Sequence, residues 1–461
     1  MALKTGIVWF RRDLRLEDHP ALFLALQECE RVACVYIDTG ANDEYTAARA
    51  WLRRSLGALG DAIAERGGRL HVLAGDPLSL LPRLADALGC AAVYASRLHE
   101  PQADADDARL AALLRRDGRV LRRLGGRVLT DSDALLTRSG TPFRVFTPFL
   151  RAAREHWRAR RLPAPARIPV LALPPVTEFA PQVIAAPVPA WDAGFWADGW
   201  TPGEHGARQR LTAFLARIDG YAQARDHPAL DASSRLSPHL AFGEVGPDAV
   251  FAAASALDSV GAGKFVAELA WREFAYYVLA HWPHTPQANF NARFDGLPWQ
   301  RNPAHLRAWH AGRTGVPIVD AGMRQLRQTG WMHNRVRMIV ASFLCKHLGI
   351  DWRRGADWFR RTLIDADLAS NTLGWQWVAG TGVDAAPYYR IFNPVLQSRK
   401  FDTEGTYIRR WLPELAGLPP ADIHAPWERG HRLRDYPAQP LIDMGHGRAR
   451  ALAAFAAMRA S

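Results

Sequence analysis

The first 130 residues alternate short apolar segments with segments of helical periodicity, and this alternation limits the possible folds more than any other feature. The apolar, β-branched runs cover 6–10, 31–38, 69–75 and 91–96, and the helical segments cover 17–28, 44–65, 77–88 and 102–117. Strands that alternate with helices predict a doubly wound parallel sheet with helices on its faces. A GxGxxG turn does not follow the first strand, where the sequence reads WFRRD, so the usual dinucleotide-binding turn is not supported.

The rest of the chain has a different pattern. Eight of the 31 prolines lie between residues 161 and 190. Because proline disrupts helix interiors and central strands, we expect an interdomain linker here. From 203 onward the periodicity is helical, with long segments at 261–282, 317–329 and 332–348. The sequence therefore predicts an α/β domain over 1–130, a linker over 131–202 and a large all-α domain over 203–461.

Charge and cysteine usage narrow the classes of partner. The formal charge is +12, from 58 basic and 46 acidic residues, which favours a polyanion such as nucleic acid. The four cysteines show no CxxC pair or metal-ligand spacing, so we expect free thiols and no metal site. No apolar run approaches the ~18 residues of a membrane span, and the N-terminus does not resemble a secretory signal. We therefore expect a cytoplasmic protein without membrane association.

Three segments of the helical region carry polar groups in patterns that indicate chemistry. The run SSRLSPHL (233–240) places hydroxyls around an arginine before a helix, which can bind phosphate but also fits an ordinary helix cap. In GWMHNRVRM (330–338), Asn334 and Met338 share one helix face, and Arg335 and Arg337 are expected on other faces. In LIDADLASNTLGWQW (363–377), two carboxylates in an apolar setting must be paired or hydrogen-bonded.

These segments, with AELAWREF, NPAHLRAW, GVPIVDAGMRQLRQTGWMHNRVRMIVASFL and LIDADLASNTLGWQWVAGTGVDAAPYYRIFNP, resemble the photolyase/cryptochrome family. Within it, the likeness is closest to class I cyclobutane pyrimidine dimer DNA photolyases. It covers nearly the whole chain and is densest from 221 to 400. It implies a carbon–carbon lyase that repairs such dimers in light, by electron transfer from excited reduced FAD to a dimer flipped out of duplex DNA. We expect a monomer, since the sequence indicates no protein partner.

The resemblance also assigns individual residues. FAD would be held by Tyr221, Ser233, Ser234, Arg235, Leu236, Ser237, Arg272, Arg337, Asp365, Asp367 and Asn371. Within that set, Arg337 would pair with Asp365, and Asn371 would face the flavin N5. The catalytic residues would be Glu268, Asn334, Met338 and Asn371. The DNA-binding residues would be Arg225, Glu268, Trp271, Asn334, Arg335, Trp377 and Gln397. Electrons for photoreduction of the flavin would pass along Trp375, Trp352 and Trp299.

Several alternatives remain open at this point. A cryptochrome, a blue-light receptor without repair activity, has the same fold. Asn371 at the flavin N5 position and the lack of a long tail after Trp411 disfavour it. A 6-4 photoproduct photolyase is associated with a His pair where Asn334 and Met338 stand. A basic DNA-binding module without catalysis does not account for the flavin motifs.

A second chromophore is a further expectation for the N-terminal domain. The segment LHEPQ (98–102) lacks the Asn-Glu pair of folate-binding family members. Its Glu-Pro pair resembles the members that bind deazaflavin. The resemblance therefore favours deazaflavin or a flavin over folate as an antenna, with an empty pocket as the remaining alternative.

Overall fold

The N-terminal part of the chain is a five-stranded parallel sheet. The computed structural model describes residues 3–40, 46–158, 161–175, 179, 191–384 and 389–460. The strands are β1 (Leu3–Phe10), β2 (Cys29–Asp38), β3 (Leu70–Ala74), β4 (Ala92–Ser96) and β5 (Val120–Leu124). Their order in the sheet is β3-β2-β1-β4-β5. The intervening helices are α1 (Pro20–Glu28), α2 (Ala47–Ala64), α3 (Pro77–Ala87) and α4 (Pro101–Arg116).

Strand β1 lies at the centre of the sheet and is buried on both faces. Gly6 of β1 is opposite Val32 of β2 on one side and Ala92 of β4 on the other. Val8 and Phe10 pack into the core on one face, and Ile7 and Trp9 pack into the core on the other. Successive strand residues point to opposite faces, so a strand covered on both faces reads as a continuous apolar run. This burial explains why β1 was predictable from sequence.

The sequence predicts four strands, and the fifth strand, β5, corrects that prediction. The segment VLRRL contains two arginines and is exposed or half-buried throughout. Strand β5 pairs with β4 alone and forms the edge of the sheet. Edge strands are commonly short and charged, which removes the apolar signal on which the prediction depended.

The remainder of the described chain is helical. Its α-helices are α5 (Phe146–His156), α6 (Ala193–Ala197), α7 (Glu204–Leu215), α8 (Tyr221–Ala224), α9 (Ser237–Phe242), α10 (Pro247–Ser255), α11 (Val260–His281), α12 (Pro303–Ala311), α13 (Pro317–Thr329), α14 (Asn334–Ser342), α15 (Trp352–Thr362), α16 (Leu368–Ala379), α17 (Pro394–Phe401), α18 (Thr406–Trp411), α19 (Pro420–Ile423) and α20 (Met444–Ala460). A π-helical turn, Phe343–His347, extends α14. The prediction of an α/β domain followed by a helical region is confirmed.

The predicted linker over 131–202 contains a helix that packs into the helical region. Phe146 and Phe149 of α5 are buried in one core with Phe274 of α11. A linker inferred from its prolines does not reveal this short amphipathic helix, which precedes them. The prolines at 163, 165, 169, 174 and 175 lie outside helices, whereas those at 181, 187 and 189 lie outside the described residues. The domain boundaries themselves stay a prediction.

The two parts of the chain are joined by buried polar contacts. The indole Nε1 of Trp51 in α2 donates to Glu244 Oε1 at 2.9 Å. Arg15, which is 2% exposed, donates to the Gly243 carbonyl at 3.1 Å. The four cysteines are buried and free. Within the described ranges, no helix is both long and apolar enough to cross a bilayer, and no cluster of His, Cys, Asp and Glu side chains could hold a metal ion.

Candidate active site

Two adjoining cavities in the helical region contain most of the residues that the resemblance assigned. The first, of about 270 Å³, is lined by every predicted FAD-binding residue except Asn371, and also by Arg225, Glu268 and Asn334. The second, of about 190 Å³, is lined by Met338, Asn371 and Trp375 among others. Five residues line both cavities: Asn334, Arg337, Asp365, Asp367 and Ser370. The shared lining makes one continuous site from segments that lie far apart in the sequence.

The loop before α9 forms one end of the site. Arg235 has a backbone φ of 52°, a left-handed conformation that is uncommon for a residue other than glycine. Its guanidinium forms an ion pair with Asp198 and lies 4.1 Å from the centre of the Trp200 ring. These contacts stabilise an otherwise costly conformation. The loop therefore presents the hydroxyls of Ser233 and Ser234 to the first cavity in a fixed arrangement.

A buried ion pair lies at the boundary of the two cavities. Arg337 Nη2 is 2.7 Å from Asp365 Oδ2, and Arg337 Nε donates to the Met332 carbonyl at 2.8 Å. This is the ion pair that the resemblance implies. The other carboxylate oxygen, Asp365 Oδ1, is buried and has no hydrogen-bond partner among the described residues. Because a buried, unpartnered acceptor is costly, this oxygen fits a ligand that donates a hydrogen bond.

The same arginine corrects one expectation from helical spacing. Arg337 lines both cavities together with Asn334, although it was expected on another helix face. Residues three apart on a helix are neighbours, and the long arginine side chain extends further along the surface. Asn334 and Met338 do share the second cavity, in agreement with their spacing of four.

The second carboxylate of the motif is fully engaged by protein groups. Asp367 Oδ1 accepts the Ser370 backbone N–H at 2.8 Å and caps α16, and Oδ2 accepts a hydrogen bond from Tyr276. Burial alone would raise the pKa of Asp367, but Arg272, Arg127 and these hydrogen bonds outweigh it and hold the pKa below its usual value. Asp367 therefore stays ionised at neutral pH.

Helix α16 carries the remaining groups of the second cavity. The Asn371 side-chain amide donates to the Ala356 carbonyl at 3.0 Å. Trp375 is 2% exposed and packs directly on Gly355 of α15, where a Cβ would stand only 2.0 Å from the indole. A side chain at 355 would therefore displace this indole. The helix presents Asn371 and Trp375 to the cavity because they are four residues apart.

The three tryptophans of the expected electron path belong to one apolar cluster. Trp352 is fully buried, with its Nε1 donating to Asn289 Oδ1 at 2.8 Å, and Trp299 is half-buried at the edge of the cluster. The ring of Trp375 also contacts Phe359 and Trp309, at centroid separations of 5.0 and 6.3 Å. The burial order, from two buried rings to one partly exposed ring, agrees with a path from the site toward the surface.

The residues assigned to DNA are less exposed than expected. Arg225 is only 12% exposed and forms an ion pair with Glu268, so it is not a free phosphate-binding group. Arg335 is 2.7 Å from Asp226 and is 18% exposed. The sequence could not reveal these two ion pairs, because the residues of each pair are more than forty positions apart in the chain. Gln397 lies half-buried on α17.

Two aromatic side chains that the resemblance assigned to DNA, Trp271 and Trp377, do not line either of the two cavities. Trp271 stacks on Phe146 with a centroid distance of 3.8 Å and an interplanar angle of 7°, so one face of the indole is covered by α5. Trp377 lines a cavity of about 650 Å³ whose other lining residues include Arg144, Arg293, Arg390 and Arg459. Phe146 was missed because its segment was assigned to the linker. The four arginines place positive charge beside Trp377.

A separate cavity lies in the α/β domain. It has a volume of about 570 Å³ and is lined by Trp9, Tyr36, Gly75 and Leu98, at or just beyond the carboxyl ends of four strands. Ligands of open α/β sheets commonly bind at this edge. Arg11 and Arg12 also line it, and Arg11 is fixed by Asp107 at 2.7 Å. Asp76, Asp106 and Asp107 line it as well and balance the two arginines, so the aromatic rings are the feature that suits a planar ligand.

Comparisons with known proteins identify the family. Residues 6–169 match the DNA photolyase family model, and residues 265–457 match the FAD-binding domain of DNA photolyase. A relative from Agrobacterium fabrum, named deoxyribodipyrimidine photo-lyase, is 45% identical over 100% of this chain and 99% of its own.

Solved structures give the same result. A bacterial class III photolyase from Agrobacterium tumefaciens has a TM-score of 0.94 at 43% identity, covering 100% of this chain and 99% of that chain. A Synechocystis cryptochrome has a TM-score of 0.86 at 29% identity over 98% and 99%. An archaeal photolyase from Sulfolobus tokodaii, described with two FAD molecules, has a TM-score of 0.84 at 30% identity over 98% and 100%.

An α/β domain followed by a helical FAD-binding domain is the architecture that these matches share. The chain belongs to the photolyase/cryptochrome family, and that prediction is confirmed. The likeness to class I within the family stays a prediction, since the solved relative with the TM-score of 0.94 is described as class III.

Proposed function

We propose that this protein repairs cyclobutane pyrimidine dimers in duplex DNA, in light, with FAD held in the helical domain over 203–461. The observation that carries the proposal is the shared lining of the two cavities. Asn334 lines both of them, beside Glu268 in one and Asn371 in the other, so one wall serves the assigned flavin residues and the assigned dimer residues.

The protein groups fit FAD. The serine and arginine side chains of 233–237 and Arg272 suit a diphosphate, and the unpartnered Asp365 Oδ1 suits a hydrogen-bond donor on the ligand. When bound and reduced, FAD supplies an electron to the dimer after excitation by light. Arg337 holds Asp365 in place, so the acceptor is oriented before the ligand binds. The Asn371 amide is fixed in the same way by the Ala356 carbonyl.

The substrate side suits two adjacent, linked pyrimidines flipped out of the duplex together. Trp271 is held flat by Phe146 and is half-buried, so part of the indole stays open for contact with a base. Unstacking costs a few kcal/mol and is least for a damaged pair, which favours lesions over intact sites. The positive charge around Trp377 and the net charge of +12 would attract the phosphate backbone. We propose that Trp299, Trp352 and Trp375 pass electrons to the flavin.

A second chromophore is proposed for the cavity of about 570 Å³ in the α/β domain. The aromatic lining at the carboxyl ends of the strands suits the planar ring of a deazaflavin or a flavin. The Sulfolobus tokodaii relative, described with two FAD molecules, supports a flavin-type ligand. An absorption spectrum of the purified protein tests this part separately, because a second chromophore adds its own bands to those of FAD.

The same fold would serve a cryptochrome, and the Synechocystis relative makes this the second candidate. A single assay separates the two. Purified, reduced protein is mixed with a duplex in which one dimer blocks a restriction site, and cleavage is followed in light and in darkness. We expect cleavage to return only in light. Bound flavin without any light-dependent recovery would favour the cryptochrome.

A further inference from the structure

Tyr276 makes buried contacts at the candidate site, although the motif assignments do not include it. It lies on α11, one helical turn after Arg272, and is 2% exposed. Its phenolic oxygen contacts two charged side chains: Arg127 Nη2, and Asp367 Oδ2 on the wall of both cavities. Arg127 also donates to the Arg12 carbonyl at 2.8 Å, so the contact begins in the α/β domain.

The direction of these hydrogen bonds is fixed by chemistry. The Arg127 guanidinium has donors and no acceptor, so it can only donate to the phenolic oxygen. The single phenolic hydrogen is therefore donated to the Asp367 carboxylate, which can only accept. Burial raises the pKa of Tyr276 above its usual value, so the hydrogen stays on the phenol. Tyr276 therefore acts as a donor of defined direction.

Asp367 transmits this orientation to helix α16. Its other oxygen caps the helix at Ser370, and the helix carries Asn371 and Trp375. The charged groups that act on the Tyr276–Asp367 pair are Arg272 on the same helix as Tyr276, Arg127, and Glu100 at the start of α4. The titratable ring of His99 also packs edge-on against Tyr276 at 5.7 Å and is retained in every variant of the test below. A neutral Asp367 would lose the ionic contribution of each arginine and a strong helix cap.

We propose that Tyr276 is a positioning residue that holds the Asp367 carboxylate ionised and in one orientation at the FAD site. This inference rests on the proposed function, because it requires FAD beside Asp367. Tyr276 does not react; it acts through Asp367. Arg127 supports it from the α/β domain by fixing the phenolic oxygen.

The test uses a matched pair of variants in the full-length protein with FAD bound. Tyr276→Phe removes the hydroxyl from the proposed site. Tyr277→Phe removes a hydroxyl from the next residue, which is 3% exposed and donates instead to the Leu135 carbonyl at 2.7 Å. The measurement is the visible absorption spectrum of bound FAD during acid titration, since a change of charge beside the ring shifts its bands. Asp367→Asn combined with Tyr276→Phe identifies the titrating carboxylate.

We expect the acid midpoint of the spectral change to lie about one pH unit higher in Tyr276→Phe than in Tyr277→Phe, because a lost hydrogen bond to a charged group raises the carboxylate pKa by about that much. The transition should vanish in the combined variant. Equal midpoints in the two single variants would overturn the inference. If Tyr276→Phe does not fold, Arg127→Gln should also raise the midpoint, through the lost contact with the phenol and through the lost guanidinium 3.9 Å from Asp367 Oδ2, and an unmoved midpoint there would also overturn the inference. A parent protein that binds no FAD would instead contradict the proposed function.

Discussion

Arg225 and Glu268, which both line the first cavity, form an ion pair, although each was expected to contact DNA on its own. Their side chains are 12% and 24% exposed, so the pair is partly screened from water. Lys264 approaches the same carboxylate at 3.2 Å. The pairing means that neither residue can be changed without altering the other.

A double-mutant cycle tests this coupling. We expect Arg225→Ala and Glu268→Ala each to weaken binding of a dimer-containing duplex by about ten- to hundredfold, because each removes a side chain assigned to DNA and the hydrogen bond that orients the other. Only Lys264, at 3.2 Å from Glu268, or Asp226, at 3.7 Å from Arg225, would then remain beside the other charge. The double variant should lose less than the product of the two. Electrophoretic mobility or fluorescence anisotropy on damaged and intact duplex gives the affinities. Strictly multiplicative losses would show that the two residues act independently on DNA.

Arg335 is the residue that we expect to bind the DNA backbone irrespective of damage, in contrast to the Arg225–Glu268 pair. Arg335 was assigned to DNA by the resemblance. It forms an ion pair with Asp226 and does not line either site cavity. Arg335→Ala should lower affinity for damaged and intact duplex alike and reduce the slope of log K against log salt by ~0.9, the value for one phosphate contact. An unchanged slope would remove Arg335 from the DNA-binding set.

We expect Trp375 to deliver electrons to oxidised flavin and to take no part in the repair step itself. Trp375→Phe should block photoreduction of oxidised FAD by external donors, because the indole nearest the site is removed. Enzyme that is already reduced should repair at nearly the parent rate. Trp411→Phe is the control: Trp411 lies in the same apolar cluster, and its Nε1, like that of Trp375, is buried without a partner among the described residues. Equal photoreduction in both variants would contradict the proposed path.

Lys346 predicts a pH dependence of stability. It is 1% exposed and donates to the Ala379 carbonyl at 2.5 Å, and burial lowers its pKa to about 7. Between pH 7 and about 10 the unfolded chain keeps this proton and the folded chain does not, so the lysine makes stability rise with pH.

Lys346→Met removes this contribution. Its melting temperature should therefore rise less than that of the parent between pH 7 and 9, and the variant should be the more stable protein near pH 6. Lys4→Met, at an exposed position of β1, is the control and should follow the parent. Parallel profiles for the parent and Lys346→Met would mean that Lys346 keeps its usual proton affinity.

The sequence predicted those strands and helices whose burial gives them a strong apolar pattern. The central strands β1, β2 and β4 and helices such as α13 have strong apolar patterns, and α13 spans the predicted 317–329. Strand β5 and helix α5 were not predicted because one is a charged sheet edge and the other lies in a segment assigned to a linker. Local periodicity does not report which distant surfaces such elements cover.

The candidate site, like the fold, was predictable only in part from the sequence. Motif likeness brought together residues that the structure gathers around two cavities, including the Arg337–Asp365 pair. It did not indicate the partners of long side chains, such as Glu268 for Arg225, or the tyrosine that orients Asp367. These contacts depend on how α11 packs against α8 and α16, which no local pattern records.

The most direct measurement is light-dependent repair with a choice of lesion. Reduced, FAD-loaded protein is mixed with two duplexes of one sequence, one with a cyclobutane dimer and one with a 6-4 photoproduct, and the products are separated chromatographically after blue light or darkness. We expect intact pyrimidines to return from the cyclobutane dimer only, and only in light. Repair of the 6-4 lesion instead, or no light-dependent loss of either lesion, would contradict it.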